Sequence, residues 1–302
     1  MRGRALLLLV AAMTPVACQA APADPPPAPP TRSSPPPAIV RPDGSSCPDH
    51  PTPACTGALR GTALTKVTLN TEDVALRVRR PGAVLDGVHV PGHLLIHADD
   101  VTVRNSVIDG DVINADGPQS FRFTITDSTV GTTDKCEPLP GIGHDKYKAT
   151  RVLVQGHSDG FRVSGDDVEI RDSYVKLCSR PGDHSDGIQA YNGGKGLLFH
   201  HNTVDQREAK DITAPIFLVD GKSRDVVVTD NLVMGGTYSI QVRNAGGKQV
   251  VRGNKLVDKS WVYGPVDSEC ARTEWAGNEL VIIDENYRVT SIVGPLACAG
   301  ES

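Results

Sequence analysis

The sequence predicts an all-β solenoid, a stack of about eight or nine coils built from short strands. Two nearly identical segments, His157–Gly165 and His184–Asn192, begin 27 residues apart, and a period of this size is typical of stacked repeats. The chain has 30 glycines and only 4% aromatic residues, which favours short strands joined by tight turns. No long run shows a helical period of 3.6 residues, so an α-rich fold is excluded.

Residues 1–17 have the features of an export signal. Arg2 and Arg4 precede an apolar run from Ala5 to Met13, which is too short to span a bilayer. The four residues that end at Cys18 resemble a bacterial lipoprotein processing box, with Pro15 in place of the usual Leu. We therefore expect an exported protein, either a cell-surface lipoprotein lipidated at Cys18 or a secreted protein that loses Cys18 with its signal peptide.

Residues 18–45 are predicted to be a disordered linker. The segment is rich in Pro and Ala and contains the triplets Pro25–Pro27 and Pro35–Pro37, a composition that cannot bury a core. It is expected to act as an extended spacer that holds a single following domain, residues 46–302, away from a membrane or wall.

The cysteine count fits an oxidising compartment. The chain has seven cysteines, and lipidation or loss of Cys18 leaves six, which can pair completely. Proximity along the chain predicts the pairs Cys47–Cys55, Cys136–Cys178 and Cys270–Cys298.

The charge balance excludes one class of partner. The formal net charge is −5, and removing residues 1–17 takes away two arginines and no acids, which leaves about −7. A nucleic-acid-binding protein would carry a basic face instead, so no nucleic-acid partner is expected. We expect a monomer that contacts a membrane only through the lipid anchor.

From about residue 59 to 283 the chain repeats one unit: an apolar strand, a turn, and a second strand that ends in a polar pair. The apolar anchors of four successive units, Phe161, Ile188, Phe217 and Ile240, are separated by 27, 29 and 23 residues. Strands this short cannot bury an apolar face alone, but stacked coils form a continuous core.

This repeated strand–turn–strand pattern resembles the right-handed parallel β-helix of the pectate-lyase-like superfamily. The resemblance covers roughly residues 59–283 and matches no single enzyme family. It implies a right-handed coil whose open ends need covering, and we expect the stapled loop 46–58 and the tail 287–292 to do so. The superfamily contains polysaccharide lyases, epimerases, glycosidases and non-catalytic adhesins, so the resemblance implies a polysaccharide partner without choosing an activity.

Alternation along the strands predicts the outward side chains. The first outward row is His97, Asn114, Gly143, Arg162, Gln189, Leu218 and Gln241, and the second is Asp99, Asp116, Asp145, Ser164, Tyr191, Asp220 and Arg243. Both rows are polar around the middle coils, which predicts an elongated groove for a chain-like ligand. The expected substrate-binding residues are Gln189, Tyr191, Gln241, Arg243 and Lys146.

The two His-Ser-Asp-Gly segments should lie one above the other beside this groove. Lyase or epimerase chemistry abstracts a proton next to a uronate carboxylate, which requires a base and a group that stabilises negative charge. We expect His184 or His157 to be the base and Arg162 to stabilise the charge. The predicted catalytic set is Arg162, His184, Asp186, Asp159 and His157.

Calcium is a predicted cofactor. Asp145, Asp159 and Asp186 supply the oxygen ligands that Ca²⁺ prefers, and a bound cation would help an acidic chain attract a polyanion. A glycosidase hypothesis instead uses Asp159 and Asp186 as a carboxylate pair, because adjacent coils stand about 4.8 Å apart.

The catalytic motifs of the superfamily are incomplete here. Asp183–Gly187 faintly resembles an Asp-His and Asp-Gly arrangement of pectate lyases, but their Arg-containing motif and the polygalacturonase signatures are absent. Structural roles remain open: each Asp-Gly pair can be a turn that starts a strand, and Asn202, Asn231 and Asn254 can form a stacked amide ladder. The activities, in order of preference, are lyase or epimerase action on a uronate polysaccharide, non-catalytic carbohydrate binding, and glycoside hydrolysis.

Overall fold

The computed structural model describes residues 39–47, 49–70 and 72–300, which form a right-handed parallel β-helix. Each complete coil passes through three short strands, one in each of three long sheets, so the cross-section is a three-sided coil. The fold class predicted from the repeats is confirmed. The predicted signal peptide, Cys18 and most of the predicted linker lie outside the described residues.

The strands of the N-terminal half, in chain order, are β1 (Ile39–Val40), β2 (Ser46–Cys47), β3 (Thr65–Lys66), β4 (Ala75–Val78), β5 (Val84–Asp86), β6 (Val88–Val90), β7 (His93–Ile96), β8 (Val101–Arg104), β9 (Val107–Ile108), β10 (Val112–Ile113), β11 (Ala115–Asp116), β12 (Gln119–Ser120), β13 (Phe123–Thr126), β14 (Thr129–Val130), β15 (Glu137–Gly143), β16 (Tyr147–Thr150) and β17 (Leu153–Gln155). The C-terminal half continues with β18 (His157–Val163), β19 (Glu169–Arg171), β20 (Tyr174–Lys176), β21 (Ile188–Ala190), β22 (Lys195–His200), β23 (Thr203–Asp205), β24 (Ile216–Leu218), β25 (Arg224–Thr229), β26 (Leu232–Met234), β27 (Tyr238–Val242), β28 (Gln249–Arg252), β29 (Lys255–Val257), β30 (Gly264–Ser268), a 3₁₀ helix (Cys270–Arg272), β31 (Thr273–Ala276), β32 (Glu279–Ile283) and β33 (Val289–Pro295).

Sheet 1 contains nine parallel strands, in the order β4-β7-β10-β15-β18-β21-β24-β27-β30. Sheet 2 also contains nine, in the order β5-β8-β13-β16-β19-β22-β25-β28-β31. Sheet 3 contains eleven and ends with β33, which pairs antiparallel with β32. The tail therefore covers the last parallel strand of sheet 3, as expected for a capping segment.

The core lies inside the coil, where one apolar residue of each sheet 1 strand stacks on its counterpart in the next. This inward row is fully buried and consists of Leu94, Val112, Ile142, Phe161, Ile188, Ile216, Ile240 and Val266. One of the four predicted anchors is wrong, because Phe217 lies one residue beyond this row and faces outward. Strand β24 is apolar at all three positions, so alternation gave no sign of which residues point inward.

Three glycines mark the corner where sheet 1 comes closest to sheet 3. An added Cβ atom would lie close to a valine methyl group of sheet 3 at all three positions. The distance would be 2.5 Å at Gly141, 2.7 Å at Gly160 and 2.3 Å at Gly187. Each glycine therefore meets its own valine, in a row made of Val154, Val175 and Val204. The Gly of the repeated Asp-Gly pair is required because the backbone passes too close to these valines for a side chain to fit.

The three predicted disulfides are present, with Cα–Cα distances of 5.7 Å for Cys47–Cys55 and 5.8 Å for Cys136–Cys178 and Cys270–Cys298. Three disulfides in one chain indicate an oxidising, extracellular environment. Among the described residues, no helix has both the length and the apolarity needed to cross a membrane.

The N-terminal segment lies along the side of the solenoid instead of covering its end, which corrects the capping prediction for loop 46–58. Its backbone forms hydrogen bonds with three coils of the solenoid. The Leu59 N–H donates to the Asn105 side chain, the Gly57 N–H donates to the Arg151 carbonyl, and the Asp49 carbonyl faces His201 Nε2. The predicted linker boundary at residue 45 is also too late. Arg41 is 4% exposed and donates to two backbone carbonyls of the same segment, so the described residues from 39 onward belong to the folded domain.

His201 clamps this segment. Its Nδ1 lies 2.7 Å from an Asp172 carboxylate oxygen, and its Nε2 lies 2.8 Å from the Asp49 carbonyl, so both ring nitrogens face acceptors. Burial lowers the pKa of His201, but the two hydrogen bonds and the Asp172 charge outweigh burial and leave the pKa raised. The folded protein therefore favours the imidazolium form.

We expect His201→Gln to cost more stability at acidic than at alkaline pH. Because the pKa of His201 is higher in the folded protein than in the unfolded chain, protonation of this ring stabilises the fold. This stabilisation is complete below the pKa of the unfolded chain, about 6.5, and is lost as the pH rises through the pKa of the folded protein. The substitution should lower the free energy of unfolding at both pH values, and by about 1 kcal/mol more at pH 5.5 than at pH 8.5. This is the difference in strength between a charged and a neutral hydrogen bond. Urea unfolding at both pH values measures this, and an equal loss at both would contradict it.

Candidate functional site

Three rows of residues, most of them polar, lie along sheet 1 on the middle coils. The central row is in strict register, with Arg162, Gln189, Phe217 and Gln241 on successive coils. Three residues earlier on each coil stand Asp159, Asp186, Ala214 and Tyr238, and two residues later stand Ser164, Tyr191, Val219 and Arg243. We call these twelve residues the groove.

Asp159 orients Arg162 and also joins two coils. One of its carboxylate oxygens accepts a hydrogen bond from the Arg162 guanidinium at 2.7 Å, and the other accepts the Asp186 backbone N–H at 3.1 Å. The residue is 6% exposed, and burial raises the pKa of Asp159 although the charge of Arg162 opposes this effect. The carboxylate therefore acts on any ligand through the arginine that it holds.

Asp186 repeats this arrangement one coil further on. It accepts the Ala214 backbone N–H at 3.0 Å and the Gln189 side-chain amide at 2.5 Å. Burial first, and then the neighbouring Asp159 charge, raises the pKa of Asp186 well above its usual range. Asp186 is thus a buried carboxyl biased toward its protonated form, and it fixes Gln189 as Asp159 fixes Arg162.

Arg162 and Gln189 each keep one polar atom free. Among the described residues, Arg162 Nε and Gln189 Oε1 are buried without a hydrogen-bond partner. Tyr191 lies beside them, with its ring centre 5.7 Å from the Arg162 guanidinium carbon and the residue 60% exposed. Unpartnered polar atoms are uncommon in protein interiors, so a donor and an acceptor on adjacent coils next to an exposed ring are unusual.

The two imidazoles of the repeated motif do not meet. His157 is fully buried, its Nδ1 lies 3.0 Å from the Leu139 carbonyl, and burial lowers its pKa. The prediction that His157 acts as a base is therefore wrong, because no substrate can reach it. His184 is exposed at the end of a loop, so it alone keeps the predicted role.

The loop that carries His184 is fixed next to the groove. The Cys136–Cys178 disulfide joins it to the residue just before strand β15, and the Cys178 backbone N–H donates to the His157 carbonyl at 3.2 Å. The Cys178 carbonyl in turn accepts the Ser185 hydroxyl at 3.1 Å. These bonds fix both ends of the loop, at Cys178 and at Ser185.

The proposed calcium ligands do not converge. Asp159 pairs with Pro140 within strands β18 and β15, whereas Asp145 lies beyond the C-terminal end of β15, where it accepts the Ser120 hydroxyl at 3.0 Å. Asp159 and Asp186 already accept hydrogen bonds from protein donors. In residues 39–300, apart from the two undescribed positions, no group of three or more His, Cys, Asp or Glu is placed to hold a metal ion. We therefore derive no step through calcium.

The other predicted binding residues are divided. Gln189 and Tyr191 belong to the groove, and so do Gln241 and Arg243 at its far end. Gln241 is 5% exposed, and the Arg243 guanidinium lies 3.2 Å from the Asp267 carboxylate. Lys146 lies outside it, at the corner before sheet 2, where its ammonium donates to the Ser120 hydroxyl at 3.0 Å. From the predicted rows, Asn114 and Leu218 are buried and therefore do not face a ligand.

Sequence reasoning missed two features of this face. Phe217 and Tyr238 stand among the polar groove residues, but the apolar run around Phe217 concealed its direction. His93 lies 3.0 Å from the buried Asp111 on the next coil, nearer the N-terminal end of sheet 1. The hydrogen bond to Asp111 raises the pKa of His93, and only the 18-residue spacing of this pair could have indicated it.

The groove is separate from two cavities in the described part of the chain. One cavity, of about 480 Å³, lies between the stapled loop and the turn at residues 285–288, and another, of about 540 Å³, lies on sheet 2. A shallow open face that crosses several coils suits an extended ligand better than a compact one.

The chain matches no protein-family model, no curated protein and no solved structure.

Proposed function

We propose that this chain binds an extracellular polysaccharide lengthwise along the groove, with the sugar chain crossing the coils from Arg162 to Gln241. One observation carries the proposal: Arg162 and Gln189 lie in register on adjacent coils, and each is held by a buried carboxyl. A sugar hydroxyl both donates and accepts hydrogen bonds, so it suits a partly exposed guanidinium beside a side-chain amide.

Three further properties support a polysaccharide. The parallel β-helix fits carbohydrate-active proteins generally, and three disulfides support an oxidising, extracellular environment. The exposed ring of Tyr191 offers an apolar face with a polar edge, which suits a sugar ring. The groove pairs its cations and carboxylates, as at Arg162 and Asp159, so the net negative charge of the chain does not concentrate at the ligand.

Arg162→Gln should weaken polysaccharide binding by roughly 10- to 100-fold, which corresponds to the loss of a charge-assisted hydrogen bond. Affinity electrophoresis or calorimetry against polygalacturonate, alginate, hyaluronan and a neutral β-glucan measures the effect. Arg104→Gln is the matched control, because Arg104 also pairs with an aspartate, Asp86 at 2.9 Å, but lies on sheet 2. Wild-type protein that binds none of the four polymers would overturn the proposal.

A second candidate function is lyase- or epimerase-like action on a uronate polysaccharide. The exposure of His184 favours it, because an imidazole that a substrate can reach can act as the base. Arg162 would face the uronate carboxylate, and His184, two residues before Asp186, is the accessible candidate base. Glycoside hydrolysis is less well supported, since both carboxyls are almost completely buried and bonded to protein donors.

Incubating the purified protein with the three uronate polymers tests the catalytic candidate. Lyase action would create unsaturated ends that absorb in the ultraviolet, and epimerisation would change the proton NMR spectrum of the recovered polymer. His184→Ala serves as the inactive comparison, since it removes the accessible candidate base. Binding without either product would leave the binding function and remove the enzymatic one.

A further inference from the structure

Two tyrosines form an exposed aromatic surface where the groove reaches the C-terminal coils. Tyr263 is 73% exposed and Val262 beside it is 63% exposed. The ring of Tyr263 lies 5.9 Å from the partly buried ring of Tyr238, centre to centre, and the two planes are inclined by 59°. Exposed aromatic surface is rare in a chain with 4% aromatic residues, and large exposed apolar groups often mark contact sites.

The position of Tyr238 connects this surface to the groove. Tyr238 occupies the row of Asp186 and Ala214, two coils beyond Asp186, which at the spacing of neighbouring strands is about 10 Å. On the next coil the matching residue is Gly264, where an added Cβ would lie 3.1 Å from Tyr238 Cε1. The absence of a side chain at Gly264 leaves room for the Tyr238 ring beside that coil.

The backbone of the exposed segment is fixed. The Tyr263 N–H donates to the Thr237 carbonyl at 2.8 Å, and the Val262 N–H donates to the Gly236 carbonyl at 3.0 Å. These bonds tie the segment to the coil that carries Tyr238. The exposed ring therefore stands on an ordered support, which lowers the entropy that a ligand must remove on binding.

From these observations we propose that Tyr238 and Tyr263 form an additional subsite of the groove for one further sugar ring of the same polysaccharide. The proposal rests on the polysaccharide-binding function. The central-row residues on the coils of Ala214 and Tyr238, Phe217 and Gln241, carry no charge, and Arg243 on the same coil as Tyr238 is paired with Asp267. The subsite therefore suits the apolar face of a pyranose ring. The tyrosine hydroxyls supply the polar edge that sugar hydroxyls require.

The sugar ring at this subsite belongs to the same polysaccharide chain, because the tyrosine surface continues the groove in register. A polymer that contacts Arg162 and Gln189 and follows the coil axis reaches Tyr238 next, after Phe217. The subsite should therefore matter only for chains long enough to span these coils, whereas short fragments held at Arg162 should not depend on it.

The test compares Tyr263→Ala and Val262→Ala with wild-type protein on size-fractionated oligosaccharides cut from whichever of polygalacturonate, alginate or hyaluronan the wild type binds. Tyr263→Ala should lower the affinity for long oligosaccharides roughly three- to tenfold, the range of one aromatic contact, and leave dimers and trimers unchanged. Val262→Ala should bind like wild type. Because Tyr263 is mostly exposed, the variant is expected to fold.

Three results would overturn the inference. Equal binding of all lengths by wild type and Tyr263→Ala removes the subsite but leaves the groove. Wild-type protein that binds no polymer of any length removes the proposed function and the subsite with it. A wild-type dimer that becomes monomeric in Tyr263→Ala, seen by sedimentation, assigns the surface to a second copy of the chain.

Discussion

Gly187→Ala is expected to lower the free energy of unfolding by about 3 kcal/mol or more, at the upper end of the effects of inserting an atom into a packed interior. The new Cβ would lie 2.3 Å from both the Pro215 carbonyl oxygen and a Val204 methyl group. The oxygen belongs to the backbone of the next coil, so relief requires the coils to separate. Urea unfolding followed by circular dichroism measures the loss.

Gly294→Ala is the matched control. An added Cβ at Gly294 meets nothing within 4 Å, and this glycine has no positive φ that an alanine would strain. Its stability should therefore stay within about 0.5 kcal/mol of wild type, as for ordinary surface substitutions. If Gly187→Ala is as stable as Gly294→Ala, the close corner between sheets 1 and 3 does not exist as described.

The Gly187 result also separates two roles inside one repeated motif. In each Asp-Gly pair the glycine faces the interior and fixes the corner, whereas the aspartate faces outward and holds a groove residue. The sequence hypothesis that Asp-Gly is structural and the hypothesis that it belongs to a site are therefore compatible. Asp186 itself has both roles, because one of its oxygens bonds the backbone of the next coil and the other bonds Gln189.

The repeat spacing was enough to predict the solenoid, the number of coils and the register from Arg162 to Gln189. Register was predictable there because Phe161 and Ile188 each stand between a glycine and a polar residue, so only one assignment of inward residues fits the alternation. It failed at Phe217, whose neighbours Ile216 and Leu218 are equally apolar. The apolar run there placed the anchor one residue too late, and the aromatic part of the groove was missed.

Other features could not be read from the sequence for geometric reasons. The motif copies at His157 and His184 are identical over four residues, yet one histidine is buried and the other exposed. The difference arises because Cys178, and not His184, bonds the His157 carbonyl from the next coil. The chain leaves the stack after Cys178 and returns at Ser185, so His184 lies in the loop between them. A repeat predicts stacking only where both copies stay in register.

The largest single loss of stability is expected from Asn231→Ala, about 4 kcal/mol. Asn231 stands within a row of buried asparagines at one corner of the coil, formed with Asn202, Asn254 and Asn278. Its side-chain oxygen accepts both the backbone N–H and the amide of Asn202, at 2.9 and 3.1 Å, and its amide donates to the Phe199 carbonyl and to Asn254. Alanine would leave these buried groups without partners, at roughly 1–3 kcal/mol each.

Asn231→Ser should cost clearly less than Asn231→Ala, because serine already fills the same position on earlier coils. The hydroxyl of Ser173 accepts the Val152 N–H at 3.1 Å, and that of Ser128 accepts the Ser106 N–H at 3.2 Å. A serine at position 231 can accept the Asn202 N–H in the same way, while the amide bonds are still lost. Chemical denaturation of both variants, with the exposed Asn286→Ala as the neutral reference, measures the order. If serine and alanine are equally destabilising at position 231, the acceptor facing the preceding coil is not what holds the stack together at this corner.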